Sequence, residues 1–307
     1  MDQAAPATAL IAIDWGTTAA RAYAVDADGH IVDTRAAPLG VQQVNGNFAA
    51  ALDTLLGDWR TLKVPRIAAG MIGSRQGWVE ARYVECPAAF SALASDLTMT
   101  PNGELAIVPG LLYRDDAGVP DVMRGEETQI AGSVAEDDDP LLAVLPGTHS
   151  KWARVERGRV VGFQTHMTGE LYSVLLANSI LGRLASPEQA HEPGPAFAQG
   201  VARGLGEGAL GHLVFGARSL ALTGSLAATE VADWLSGVLI GYEVRHARAW
   251  AARQGGDVSR VRVIGADALV ERYVRALESA GIVAQRGRAD AAVRGLFSIA
   301  RLARLVA

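Results

Sequence analysis

The chain mixes short runs of consecutive apolar residues with longer stretches in which apolar side chains return every three or four positions. This is the pattern of buried strands interleaved with amphipathic helices. Residues 8–14 (T-A-L-I-A-I-D) form an apolar, β-favouring run that stops at Gly16-Thr17-Thr18. Residues 19–26 alternate loosely, Asp28-Gly29 reads as a hairpin turn, and 30–34 resume an extended pattern. Phe48, Leu52, Leu55, Leu56 and Trp59 share one helical face and predict a helix over 48–60. Residues 66–70 and 104–109 read as short strands. Residues 124–134 read as a helix opening with Gly125-Glu126-Glu127, acids suited to a first turn.

The first pattern then recurs. Residues 141–145 are an apolar strand, Pro146 to Ser150 a small-residue turn, 151–156 a second strand, Arg157-Gly158 a hairpin turn, 160–164 a third strand and 169–184 a helix. Strand, Gly-Thr turn, strand, hairpin, strand, helix thus occurs twice, starting near residues 8 and 141, with slight identity between the copies. Beyond it, 197–213 and 228–253 read as helices, 260–264 as a strand, 267–280 as a helix, 282–285 as a strand and 290–305 as a closing helix. The acidic run Glu136-Asp137-Asp138-Asp139-Pro140 reads as a solvated loop. It sets the expected boundary between an N-terminal lobe, 1–138, and a C-terminal lobe, 139–307, with the final helix packing back on the first lobe. The expected class is an α/β protein of two similar lobes.

Composition narrows the function. A chain of 307 residues suits two ordinary domains, and 28 Lys+Arg against 33 Asp+Glu leave a net charge of −5, without the basic excess of a nucleic-acid binder. The single cysteine, Cys86, excludes an internal disulfide and a Cys-rich metal site, and fits a reducing compartment. The first ten residues lack a basic leader segment, and the longest uncharged run, 36–52, contains Gln42, Gln43, Asn45 and Asn47, so it is no membrane span. These features predict a cytoplasmic protein acting on a small molecule, without nucleic-acid or membrane partners, and leave a homo-oligomer open. Lysine occurs only twice, at Lys63 and Lys151, which draws attention to Lys151 beside the second Gly-Thr turn.

Two readings fit Asp14-Trp15-Gly16-Thr17-Thr18. One is an ordinary Gly-Thr hairpin. The other is a phosphate cradle, in which Gly16 admits a phosphate and Thr17 and Thr18 donate to its oxygens. There Asp14 would hold Mg²⁺ through water and Arg21 would reach a γ-phosphate. The second turn, Gly147-Thr148-His149-Ser150, favours the cradle, because two such hairpins can grip a triphosphate from both sides.

I-A-I-D-W-G-T-T-A-A-R, residues 11–21, resembles the first phosphate motif of the actin-like ATPase and sugar-kinase superfamily. V-I-G-A-D, Val263 to Asp267, resembles its adenosine motif and marks Gly265. G-M-I-G-S-R-Q-G-W (Gly70 to Trp78), M-R-G-E-E-T-Q (Met123 to Gln129) and L-P-G-T-H-S-K-W (Leu145 to Trp152), in this order, resemble the 2-dehydro-3-deoxygalactonokinase family over nearly the whole chain. The resemblance implies two ribonuclease-H-like lobes with a cleft between them. It also implies ATP and Mg²⁺ as cofactors, and phosphorylation of the 6-hydroxyl of 2-dehydro-3-deoxy-D-galactonate in D-galactonate breakdown. A kinase for another sugar acid or polyol, and an actin-like ATPase acting as a switch, are the alternatives.

One departure matters. The second phosphate motif of the superfamily carries an acid, Asp-x-Gly, where this chain has Leu145-Pro146-Gly147. Glu126 and Glu127 are then the candidate acids. Likeness to the Gly-x-Glu of related polyphosphate hydrolases puts Glu127 in the position of the base and Glu126 at the variable one. The competing reading has both acids complementing a helix N-terminus. In the loop after the 66–70 strand, Arg75 and Arg82 are candidates for a substrate carboxylate. Gly73, Ser74, Gln76 and Trp78 are candidates for the sugar hydroxyls and carbon face. Lys151 reaches a γ-phosphate or lies on the surface; His149 polarises a phosphate or supports its turn. Thr168 and Gly169, after a lobe-two strand, are nucleotide candidates. Gly206 to Gly211 satisfies G-x-G-x-x-G, but it sits in a helical pattern with no strand before it. His191-Glu192 lacks the second His of a zinc-protease helix.

Overall fold

In the computed structural model, which describes residues 7–134, 140–186 and 192–307, the repeated pattern becomes two sheets with the same strand order. In the first, β1 (Leu10–Trp15), β2 (Ala20–Val25) and β3 (Ile31–Ala37) form an antiparallel meander. After α1 (Phe48–Leu56), β4 (Arg66–Ala69) returns parallel to β1. Then come β5 (Tyr83–Glu85), β6 (Ala88–Ala89), α2 (Phe90–Ser95), β7 (Thr98–Met99) and β8 (Ala106–Ile107), which gives the order β3-β2-β1-β4-β8-β7. A hairpin of β9 (Gly110–Arg114) and β10 (Pro120–Met123) joins β5 in a separate three-stranded sheet before α3 (Glu126–Ser133).

The second copy runs β11 (Leu141–Leu145), β12 (Ser150–Glu156), β13 (Arg159–His166) and α4 (Thr168–Asn178). Three helices follow, α5 (Pro195–Leu205), α6 (Leu210–Leu222) and α7 (Val231–Arg253). The chain then forms β14 (Arg260–Val263), α8 (Asp267–Ser279), β15 (Val283–Arg286) and α9 (Ala291–Leu302). The order β15-β14-β11-β12-β13 repeats β8-β4-β1-β2-β3. This duplicated three-two-one-four-five arrangement is the fold of actin-like ATPases and sugar kinases.

The chain divides into two compact units, residues 1–138 with 157–162 and 290–307, and residues 139–156 with 163–289. In the first, Ile11, Ile13, Trp15, Ala20 and Ala22 of the meander pack against Phe48, Leu52, Leu55 and Leu56 of α1. On α3 and α9 the helices touch through glycines: a Cβ at Gly295 would lie 1.7 Å from the Thr128 carbonyl oxygen, and one at Gly132 would lie 1.9 Å from that of Ala291. Backbone-to-backbone packing of this kind fixes α3, and with it the acids at its start. The second unit has two cores, one uniting Val144, Trp152, Phe197, Val244 and Tyr273, the other Leu213, Trp234, Leu235 and Val238.

Several boundaries differ from the sequence pattern. The helix expected over 48–60 ends at Leu56, because Gly57 at φ 52° breaks the α-geometry and a 3₁₀ turn follows. The helix expected over 197–213 is two helices, interrupted at Gly206 and Gly208, and the second runs on to Leu222. The G-x-G-x-x-G stretch is therefore a helix–helix loop, 206–209, running into the first turn of α6 at Leu210 and Gly211. The 104–109 strand shrinks to two residues, and the helix expected over 169–184 stops at Asn178. β5, β9 and β10 went unread because β5 is three residues long, with exposed Tyr83 and Glu85, and Pro120 heads β10. The acidic run 136–139 and His191 lie outside the described residues. No described helix is long and apolar enough to cross a membrane.

Candidate active site

Three of the sequence motifs meet at the carboxyl ends of β1 and β4. The turn after β1 closes with the Gly16 N–H donating to the Ala19 carbonyl at 2.9 Å. Its back is fastened to residues 39–42. Val41 N–H donates to Gly16 O and Gln42 N–H to Thr17 O, both at 3.1 Å, and the Trp15 indole donates to Leu39 O at 2.7 Å. A Cβ at Gly40 would lie 2.3 Å from Thr17 O, so only glycine admits this approach. Asp14 lies half-buried opposite Arg21 on β2. Burial pushes its carboxyl above the ordinary aspartate value, and the Arg21 charge opposes that rise.

Gly70, with φ 99°, follows β4, and a Cβ there would lie 2.7 Å from the Trp15 carbonyl oxygen. Gly125, with φ 106°, precedes α3, and its Cβ would lie 3.2 Å from the Gly70 Cα. The Asp14 turn, the loop beginning at Gly70 and the Glu126-Glu127 pair are thus stacked through two glycines.

The two acids are unlike. The half-buried Glu126 accepts from the Arg124 backbone N–H at 3.0 Å. Glu127 is 0% exposed; its Oε2 accepts from the Gly125 N–H at 2.7 Å, while its buried Oε1 has no hydrogen-bond partner among the described residues. Desolvation, reinforced by the Glu126 charge, pushes the Glu127 carboxyl up to about 8; the two backbone N–H groups and Arg124 oppose it.

In the 70–78 loop, Gly73 is buried with its Cβ direction closed by Ile107 and Arg124. Ser74 Oγ is buried without a hydrogen-bond partner among the described residues, and Gln76 is exposed. Trp78 stacks on Phe48, with centroids 6.1 Å apart, which commits one face of its ring to the core. Arg75 and Arg82 are exposed and face Glu80 at 3.5 Å and Asp96 at 3.9 Å. Sequence reasoning missed Arg124. Its guanidinium donates to Ala81 O at 2.8 Å and lies over the Tyr83 ring at 4.4 Å, and its Nε and Nη1 are buried without hydrogen-bond partners among the described residues.

In the second unit the turn after β11 leaves Gly147 open: the nearest atoms to a Cβ there would be those of His149, at 4.0 Å. The start of α4 packs directly on this turn. Gly169 would put a Cβ 2.4 Å from Gly147 O, and Glu170 N–H donates to Thr148 O at 3.0 Å. Exposed His149 pairs with Glu170. Lys151 is buried, with its ammonium 3.4 Å from His149 O, and Ser150 is fully buried, its hydroxyl 2.7 Å from that of Tyr273. Gly265 follows β14 and lies beside Pro146. A cavity of about 240 Å³ opens next to the turn, lined by Gly147, Thr168 and Gly169 and by Tyr172, Arg272 and Tyr273. The last three are invisible as site residues in the sequence, where they occupy ordinary helix positions. A larger cavity, about 540 Å³, lies at the far end of α3 against α9 and contains none of the candidate residues.

The model of the 2-keto-3-deoxy-galactonokinase family matches residues 14–299. The chain belongs to this family. It is 37% identical over 292 residues to the 2-dehydro-3-deoxygalactonokinase of Escherichia coli (strain K12), which covers 94% of this chain and 97% of the relative. A crystal structure of a Sinorhizobium meliloti protein assigned the same activity superposes with a TM-score of 0.86 at 36% identity, over 95% of this chain and 98% of that one. At fold level only, the activator of 2-hydroxyisocaproyl-CoA dehydratase from Clostridium difficile, solved with bound ADPNP, matches with a TM-score of 0.52 at 10% identity over 96% of both chains. Every candidate site residue, from Asp14 to Gly265, lies within the family match.

Proposed function

We propose that this protein is a cytoplasmic kinase that transfers the γ-phosphoryl group of ATP to the 6-hydroxyl of 2-dehydro-3-deoxy-D-galactonate, in the breakdown of D-galactonate. Family membership supports the activity. The observation that carries the site assignment is the stacking of Asp14, the Gly70 loop and Glu127 through Gly70 and Gly125.

In this reading the first unit supplies the acceptor and metal residues, and the second supplies the nucleotide pocket. The open face at Gly147, the adjoining cavity and the N-terminus of α4 offer space and positive polarity for a phosphorylated ligand. Thr17, Thr18, Arg21, Thr148, His149 and Lys151 complete the donors, while Thr168, Gly169 and Gly265 shape the nucleotide side. A carboxylate at a strand end, acceptor-only when ionised, fits a hydrated divalent cation, so Asp14 is assigned to Mg²⁺. The metal, when bound, would neutralise charge on the phosphates.

The keto acid is assigned to the 70–78 loop, with Arg75 and Arg82 available to its carboxylate, and Ser74, Gln76 and Trp78 to its hydroxyls and carbon chain. Glu127 takes the proton of the 6-hydroxyl as its oxygen bonds to the γ-phosphorus. The bond from phosphorus to the β–γ bridging oxygen breaks, and ADP leaves. Glu126 holds the first turn of α3. A coupled assay of ADP release across 2-keto-3-deoxy sugar acids and common polyols tests the reading. The galactonate derivative should give the highest kcat/KM, and ADP release independent of any acceptor would refute it.

A further inference from the structure

α7 crosses α5 at backbone contact: a Cβ at Gly237 would lie 2.2 Å from Phe197 O, and one at Gly200 would lie 2.1 Å from Trp234 O. This close seat carries Glu243 into the apolar core of the second unit, where it is 1% exposed. A carboxylate does not stay there without compensation. Its Oε1 accepts from the Trp152 indole N–H at 2.7 Å and its Oε2 from the Tyr273 hydroxyl at 2.7 Å, and the Thr168 hydroxyl also hydrogen-bonds to it. Ser150 joins the same network twice, hydrogen-bonding to Glu243 directly and standing 2.7 Å from the Tyr273 hydroxyl. One buried acid therefore gathers a connected chain of hydroxyls, those of Tyr273, Ser150 and Thr168.

The ends of that chain are what matter. Ser150 is the residue immediately after the Gly147-Thr148-His149 turn. Thr168 begins α4 where α4 touches Gly147, and both Thr168 and Tyr273 line the adjoining cavity. The strand before the turn ends in Leu145-Pro146, without the acid the resemblance leads one to expect. In this chain a carboxylate, Glu243, is joined to the turn from behind through buried hydroxyls, out of reach of solvent.

We propose that Glu243 is a positioning residue for the nucleotide: through Tyr273, Ser150 and Thr168 it holds the second phosphate turn and the start of α4 in the geometry that binds ATP, and it touches no substrate itself. This rests on assigning the second-unit turn and cavity to the nucleotide. Removing Glu243 should then weaken ATP binding and leave the sugar-acid site and the chemical step intact. A role confined to stability would lower the melting temperature and spare ATP affinity.

The test uses Glu243→Gln, Tyr273→Phe and the double variant in the full chain. Calorimetric affinity for a non-hydrolysable ATP analogue with Mg²⁺ is measured beside the KM values for ATP and keto acid, kcat and the melting temperature. Glu243→Gln puts an amide where several donors converge, and Tyr273→Phe removes the hydroxyl that bridges Ser150 and Glu243. Each should raise the analogue Kd and the KM for ATP by roughly tenfold, as expected for one broken buried network. The KM for keto acid should stay unchanged, and the double variant should be no worse than the worse single one, since both break one chain. If Glu243→Gln does not fold, Tyr273→Phe alone decides. Unchanged ATP affinity in folded variants with lowered melting temperatures overturns the proposal while the nucleotide site stands. Full analogue affinity after Gly147→Val, which blocks the open face of the turn, shows instead that the nucleotide assignment itself has failed.

Discussion

Gly125 rests on Gly70: a Cβ added to Gly125 would sit 3.2 Å from the Gly70 Cα, and both residues hold positive φ. Through this contact the start of α3 reaches the end of β4, and Gly70 in turn touches the carbonyl of Trp15 beside Asp14. The candidate base and the candidate metal ligand are placed by backbone, before any side-chain choice.

Gly70→Ala should therefore be costly twice over, in φ and in a backbone contact at 2.7 Å that no rotamer relieves. A loss of about 3 kcal/mol is expected, roughly 6–12 °C in Tm for a unit of this size. Gly103→Ala is the control: its φ is 73° but nothing lies within 4 Å of its Cβ, so about 1 kcal/mol should be lost. Calorimetry on both variants checks this; equal losses would mean that the Gly70 contact is unimportant.

Glu127→Gln should lower kcat by about 10²–10⁴-fold, the usual size of general-base loss, while Glu126→Gln costs far less. The base must be ionised, so kcat/KM should rise with pH along a limb near 8, the value to which burial pushes this carboxyl. Stability runs the other way. Native Glu127 keeps its proton up to about 8, whereas the unfolded chain loses it near the ordinary value of 4.5. Its contribution is full below 4.5 and lost as pH rises through 8. Gln cannot ionise, so the Tm of Glu127→Gln relative to the parent should climb between pH 5 and pH 8.5. A difference flat in pH would show that Glu127 titrates normally.

Asp14→Asn keeps the shape of the strand end but removes the charge assigned to Mg²⁺. Turnover should fall sharply, and the remaining rate should depend more steeply on Mg²⁺ concentration. Thr17→Ala should be milder, because Gly16 and the fastening to residues 39–42 persist. Near-normal rates for Asp14→Asn at low Mg²⁺ would reduce the first turn to a structural hairpin.

Arg75→Ala separates two strengths of interaction. An arginine this exposed and 3.5 Å from Glu80 contributes at most about 1 kcal/mol on the surface. One closed over a substrate carboxylate contributes on the order of 2–5 kcal/mol. The KM for the keto acid should rise at least tenfold with the KM for ATP unchanged. A smaller rise would shift the carboxylate role to another cation, and Arg124→Met is the variant to measure next.

Much of this protein is local and so was legible in its residues. Strand runs, Gly-Thr turns and hairpin signals repeat near residues 8 and 141 because each ribonuclease-H-like unit is built from short-range patterns, and the two sheets follow that repeat strand for strand. Resemblance of its motifs to a known family marked Asp14, the Gly70 loop and Glu127 as candidates, and the structure brings these three together. Where local signal was thin, as in the three-residue β5 or across Gly206 and Gly208, the reading missed strands or fused helices.

Tertiary contact decided the rest, because burial, orphaned polar atoms and shifted pKa values depend on neighbours distant in sequence. In the sequence Glu126 and Glu127 are told apart only by likeness to a Gly-x-Glu motif; the packing of α3 on α9 through Gly132 and Gly295 leaves one half in solvent and seals the other. Glu243 is one more acid in a helix until α7 lies against α5 and carries it to Trp152 and Tyr273, 91 and 30 residues away. Sequence determined which chemistry this chain carries; only the close approach of glycine-faced helices determined which carboxylates lie in the dry interior, where the cost of their charge can be put to use.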